Sequence, residues 1–315
     1  MPKPAAFPHD ERIAWASIAL MGVATLTGLR AAGFSLRWAS AAAPLLGCGA
    51  LCAIAFFYRS ARKEPRLAAT CAALAQLVLF TMIAGPLTYL AAALDRPLID
   101  GALLRADAAL GFHWPAYLAL IDAHPAFAAL LRLAYETTLP QLAMALCLLG
   151  FTGRLGELRR FVWAVIGAGL AVSAISAFWP ALGAYAYLDI PASAYAHIQP
   201  SDAWAHVPDL LGARDGSLRL LSLDRLQGLI AFPSFHAALA ALFAWAFWQD
   251  RRARWPGLAA EALVLLSTPI DGAHYLSDVL AGIATAAASL GGARWALNAR
   301  GSAGQASSAG APQPA

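Results

Sequence analysis

About eight stretches of this chain are apolar over enough residues to cross, or nearly cross, a bilayer, whose hydrocarbon core is ~30 Å thick. They cover residues 13–34, 39–57, 67–94, 133–150, 161–180, 232–248, 256–270 and 273–297. Composition supports reading them as membrane helices. Hydrophobic residues make up 60% of the 315 and charged residues 13%, with a mean hydropathy of +0.60. An ordinary soluble domain is about 25% charged. A soluble fold of this size cannot bury such an excess, and disorder or a disulfide-rich secreted module is excluded as well. The expectation is an all-α polytopic membrane protein of about eight transmembrane helices, six as a core bundle, in one integral membrane domain over residues 1–299. The low-complexity end, 300–315, reads as a disordered tail. The first run lacks a small-residue cleavage signature and reads as a retained helix rather than a signal peptide. Gly85-Pro86 is expected to kink the third run or end it early.

Cys48, Cys52, Cys71 and Cys147 all sit inside apolar runs, where cysteine behaves as a small hydrophobe. Neither a metal site nor a structural disulfide is expected from them. The formal net charge of +4 is almost all arginine, and no basic patch interleaved with aromatics suggests a nucleic-acid partner. The arginines read as topology instead. Arg59, Arg62, Lys63 and Arg66 fall in one connection, Arg154, Arg159 and Arg160 in a second, and Arg251, Arg252 and Arg254 in a third. With eight spans these three short connections share one side, which the positive-inside rule makes cytoplasmic; only Arg30 and Arg37 oppose it. The expected location is multi-pass in a bacterial-type inner membrane. Two long connections, 95–132 and 181–231, then lie on the extracytoplasmic side. The first mixes Arg105, Asp107, His113 and Trp114 with apolar residues and suits short interfacial helices. The second carries Tyr185, Tyr187, Tyr195 and Trp204, aromatics of the membrane-interface type.

Ionisable groups in or beside membrane spans are functional candidates, because desolvating them is costly. Two clusters qualify. Phe232-Pro233-Ser234-Phe235-His236 opens the sixth span, with Pro233 suited to the first helical position, and with free amides and the Ser234 hydroxyl suited to a phosphate oxygen. Thr268 through Asp278 opens the eighth span. There His274 and Asp278, four apart, are expected on one helix face, where the carboxylate can fix the imidazole's tautomer. Either cluster alone is equally a polar helix start or cap. Together they say more: the sixth and seventh spans carry the chain inward and back, returning His236 and His274 to one membrane face at helix N-termini, which favour an anion. A transporter or proton relay would also use such residues, though usually near the midplane and with internal repeats, and none is evident here.

Pro-Ser-Phe-His followed by His-Tyr-Leu-Ser-Asp resembles the type 2 phosphatidic acid phosphatase superfamily, whose pattern is Pro-Ser-x-His and then His-x-x-x-Asp. The forms Phe-Pro-Ser-Phe-His-Ala and Gly-x-His-Tyr-x-x-Asp-x-x-x-Gly, with Leu133-Ala134-Tyr135-Glu136, Gln141 and Trp179-Pro180-Ala181, are similar to its inositol phosphorylceramide synthase branch. The resemblance spans a catalytic core of about 110–291. It implies a membrane-embedded lipid phosphatase or phosphotransferase: His274 as nucleophile through a phosphohistidine, Asp278 orienting it, His236 protonating the leaving oxygen, Ser234 helping to hold phosphate. Lipids in the bilayer would be the substrates, with no metal and no cofactor. Hydrolysis of a lipid phosphate or polyprenyl diphosphate by water is the alternative to transfer.

The chain departs from the phosphatase pattern. The upstream Lys-x6-Arg-Pro motif is missing, and Thr268 stands where that branch has an arginine. Arg132 and Arg225, with Arg219, are the candidates to replace it, although each also suits a snorkelling or plain loop charge. Asp271 suits a cap of the eighth span or an acceptor of a substrate hydroxyl proton. Tyr135 and Glu136 suit either an interfacial helix end or substrate binding.

Overall fold

The computed structural model describes residues 9–191, 193–198, 200 and 204–309. Its long helices are α1 (His9–Ala31), α2 (Ala42–Ser60), α3 (Pro65–Ala92), α7 (Thr138–Phe151), α8 (Leu155–Phe178), α11 (Phe235–Trp248), α12 (Arg254–Asp271) and α13 (Leu276–Ala309). These eight correspond to the eight apolar runs. The protein is an all-α polytopic membrane protein: α1, α2 with its preceding turn, α3, α8 and α13 are each long and apolar enough to span, among the described residues. The shorter α5 (Trp114–Asp122) and α6 (Pro125–Glu136) meet the same test only as a pair bent by 112°. Helices α7 and α11 have 14 residues each, about 21 Å at 1.5 Å per residue, so neither matches the full bilayer core. Helix α12 is interrupted in character by the buried Glu261.

Helix α3 does not end at Gly85-Pro86 but continues through Pro86 to Ala92. Proline removes one backbone donor, and in a helix packed among neighbours on a membrane bundle that single loss is tolerated. The main core lies where α3, α7, α8 and α11 meet, around Leu77, Phe80, Leu146, Phe161, Val165 and Phe243. α11 is apolar on every face, as a helix enclosed by others must be, and Ala237, Ala238, Ala240, Leu242, Phe243 and Ala246 on it are all fully buried.

The two ends of the bundle differ. At one end Arg66 of α3 donates to the Phe151 carbonyl of α7 (3.4 Å), and the Arg59 and Glu11 side chains pair at 2.8 Å. Arg160, at the second basic connection, lies over the Trp245 ring near the end of α11 at 5.9 Å. The three basic connections are thus gathered together. At the other end sit the long connections. The first folds into α4 (Asp100–Ala109), α5 and α6; the second carries α9 (Ala184–Tyr187) and α10 (Val207–Asp215). A parallel pair of two-residue strands, β1 (Ser35–Leu36) and β2 (Leu220–Leu221), ties the α1–α2 connection to the second. These connections have their own core around Trp114, Leu118, Leu131, Tyr185 and Tyr275. Helix α13 runs on into the low-complexity end as far as Ala309; the rest of the expected tail, 310–315, lies outside the described residues.

Candidate active site

His236 and His274 line one cavity of about 390 Å³, together with Tyr135 and a third histidine, His206. The lining joins the three histidines, Tyr135 and Gln227 to apolar residues such as Phe80, Ala84, Leu139 and Val172. Neither arginine nor lysine is among its lining residues.

The first motif folds differently from the expectation in one respect. Pro233 is not the first helical residue: it precedes the cap, following a cis Phe232–Pro233 bond, and α11 begins at Phe235. Ser234 is the N-cap. Its Oγ accepts the Ala237 amide at 3.2 Å, the usual way a serine satisfies an orphan donor of the first turn. It is fully buried and outside the cavity lining. His236 follows in the first turn and faces the cavity.

In the second motif, α13 starts at Leu276, so His274 and Asp278 do not share a helix face. His274 sits in the short link between α12 and α13, after Ala273, whose φ of +58° is a left-handed conformation rare for alanine. Such strain persists only where surroundings enforce it, and here they do. The Ala184 amide donates to the Ala273 carbonyl at 2.8 Å, and the Trp114 indole N–H to the His274 carbonyl at 3.1 Å. Asp278, in the first turn of α13, accepts the Tyr275 amide through Oδ2 at 2.9 Å. The same Oδ2 lies 3.4 Å from His274 Nδ1. That is slightly long for a hydrogen bond, as such contacts often are before substrate tightens them. His274 is 3% exposed and Asp278 fully buried. Burial pushes the His274 imidazole down to about 4; a hydrogen bond to the Ala231 backbone pulls it partly back, and nearby His206 adds to the depression. Burial and His206 thus favour the neutral imidazole.

Both glycines of the second motif have steric reasons. A Cβ on Gly272 would stand 2.7 Å from His274 Cδ2 and 2.8 Å from Tyr135 Oη. One on Gly282 would collide with the Ser234 carbonyl oxygen. The close crossing at Gly282 brings α13 against the start of α11, and the Ser234 amide donates to the Asp278 carbonyl at 3.1 Å. The two motifs are therefore bonded directly to each other.

Several buried polar residues that hold the site in place carry no signal in the sequence. Asp107 of α4, fully buried, accepts the amides of Leu276 and Ser277, each at 2.8 Å, and so caps α13 from a distance. Asp100, also fully buried, accepts the Leu182 and Gly183 amides at 2.9–3.0 Å and the Tyr275 hydroxyl at 3.1 Å. His206 donates its Nε2–H to the Leu182 carbonyl, 2.9 Å away. An ionisable residue with no apolar run around it gave no signal at these three places.

The remaining candidates lie elsewhere. Arg132 binds Glu136 at 2.8 Å, both side chains nearly half exposed. Arg225 is exposed, and Arg219 lies over the Phe34 ring at 4.6 Å; none of the three lines the cavity. Thr268 is buried and donates to the Val264 carbonyl, so it does not replace the phosphatase arginine. Asp271 closes α12 rather than capping α13, because that cap is already supplied by Asp107 and Asp278. The described residues contain no cluster of metal-ligating side chains.

No curated protein and no solved structure matches this chain. One family model, that of the PAP2 superfamily, matches residues 101–292, well over half of the 315 and all of both histidine motifs. The matched segment runs from α4, with its capping Asp107, through the cavity histidines to α13; the chain belongs to the PAP2 superfamily.

Proposed function

We propose that this phosphatase-type membrane enzyme transfers a phosphate or phospho-headgroup between lipids through a phosphohistidine on His274. The observation that carries the reading is the pairing of His236 and His274 in one cavity, with the Asp278 carboxylate behind His274. The neutral His274 imidazole attacks phosphorus with the nitrogen turned away from Asp278; the N–P bond forms as the P–O bond to the leaving group breaks. Asp278 holds the ring and stabilises the positive charge that grows on it, as a triad carboxylate does. His236 gives its proton to the leaving oxygen. In the second step an acceptor hydroxyl loses its proton to His236, forms the new P–O bond, and releases His274.

A lipid substrate suits a cavity whose lining joins histidines and Tyr135 to apolar residues such as Phe80, Leu139 and Val172. A diester donor suits it better than a monoester. With no arginine or lysine in the lining, a dianionic phosphate would meet no permanent cation, whereas a diester brings one negative charge. The basic connections at the opposite end favour an extracytoplasmic site in an inner membrane. Similarity of the motifs to the inositol phosphorylceramide synthase branch points the same way, towards transfer. Purified protein in detergent, incubated with labelled phosphatidylinositol, phosphatidic acid or a polyprenyl diphosphate, with and without a lipid alcohol, separates the options. Transfer gives a new phospholipid only when the alcohol is present. Release of inorganic phosphate regardless of the alcohol would make the enzyme a phosphatase, and no turnover of any donor would refute the reading.

A further inference from the structure

His274 has a dedicated partner in Asp278; His236 has one too, on a different element. Tyr135, in the last turn of α6 and 4% exposed, stacks on His236 with ring centroids 4.4 Å apart and planes tilted by 22°. Its Oη stands 3.3 Å from His236 Nδ1. The steric limits at Gly272 place that same oxygen beside the His274 ring, so Tyr135 stands against the link that presents the nucleophile.

We propose that Tyr135 is the positioning residue of His236, fixing which nitrogen of that imidazole exchanges protons with substrate. The inference rests on the phosphoryl-transfer reading above and assigns a role that reading leaves open. A phenol oxygen can accept the Nδ1–H both when His236 is an imidazolium and when it is neutral. Nδ1 then keeps its proton throughout the cycle, and Nε2 is the nitrogen that gives a proton to the leaving oxygen and takes one from the acceptor hydroxyl. The two partners differ as the two jobs require. A carboxylate behind His274 raises its basicity and supports the charge it acquires on attack. A neutral phenol against His236 orients it without holding its mobile proton. Besides Tyr135, the titratable groups that line the cavity with His236 are His274 and His206.

The test uses the full-length protein in detergent with two donors, a nitrophenyl ester of an alkyl phosphate and the corresponding dialkyl ester. The nitrophenolate leaves without a proton; the alkoxide does not. For Tyr135→Phe, which keeps the stack, kcat/KM on the dialkyl donor should fall roughly tenfold, and for Tyr135→Leu roughly a hundredfold, a part of the 10²–10⁴ that general acid catalysis supplies. On the nitrophenyl donor both variants should stay within about twofold of wild type, since each tenfold is ~1.4 kcal/mol of proton-transfer assistance that this donor does not use. Labelling of His274 by the nitrophenyl donor at the wild-type rate shows in the same experiment that the variants are folded. Equal losses on both donors, or none on either, overturns the assignment. A wild-type enzyme that leaves both donors intact overturns the transfer reading, and the role of Tyr135 falls with it.

Discussion

Asp278 and His274 meet across the start of a helix: Oδ2 of Asp278 receives the Tyr275 amide at 2.9 Å and stands 3.4 Å from His274 Nδ1. One carboxylate oxygen thus fixes where α13 begins and faces the imidazole just before it. The orientation of the His274 ring and the start of the helix are thus tied to the same atom.

Asp278→Asn should keep the helix start, because the amide oxygen can still accept the Tyr275 N–H. It cannot support a positive imidazole. Turnover is expected to fall roughly 10²–10⁴-fold with helix content unchanged by circular dichroism. Activity within a few-fold of wild type would show that Asp278 only caps.

The depressed His274 sets the acid side of the pH profile. In the proposed reaction its neutral form attacks, and burial lowers its pKa from an ordinary 6.5 to about 4. A lower pKa extends the neutral fraction to lower pH, so the acid limb of kcat/KM should fall near pH 4 to 5 rather than 6 to 7. The titration belongs to the interacting pair of histidines rather than to either alone. An acid limb centred at the ordinary histidine value would contradict the burial argument.

Asp107→Ala leaves two amides at the start of α13 without an acceptor. Loss of a helix cap costs about 1 kcal/mol, and a buried unsatisfied amide about 1–3 kcal/mol, so the variant should unfold at a clearly lower temperature in detergent. Activity should drop as well, since Leu276 and Ser277 sit between His274 and Asp278. Unchanged melting would mean that Asp107 does not hold the helix.

Much of this arrangement was legible before any coordinates. The eight apolar runs became eight helices, because runs of that length in lipid have few alternatives to helix. The return of His236 and His274 to one end followed from counting spans. The misplaced detail has a common cause. Helix starts in this site are set by groups distant in sequence, which pattern reading cannot supply. Pro233 looked like a first helical residue, yet the Ser234 cap and its bond to Asp278 begin α11 at Phe235. Asp271 looked like a cap for α13, yet Asp107, some 170 positions earlier, does that work. The arginines were sought because phosphate charge invites them, and the fold leaves Arg132 paired with Glu136 and Arg225 at the surface.

Orientation in the membrane can be tested by labelling. In a cysteine-free background, Ser217→Cys near the histidine end should react with an impermeant thiol reagent added to intact cells, and Arg252→Cys at the basic end should not. Both positions are exposed. The reverse pattern would move the active site to the cytoplasmic side.

The central claim is that phosphorus is carried on His274. Wild-type protein, His236→Ala and His274→Ala are each mixed with a labelled nitrophenyl phosphodiester, quenched without acid, digested, and mapped by mass spectrometry. The account predicts acid-labile phosphate on His274 in wild type and in His236→Ala, whose missing proton the nitrophenolate does not need, and no label in His274→Ala. Label on any other residue, or turnover by His274→Ala, would contradict it.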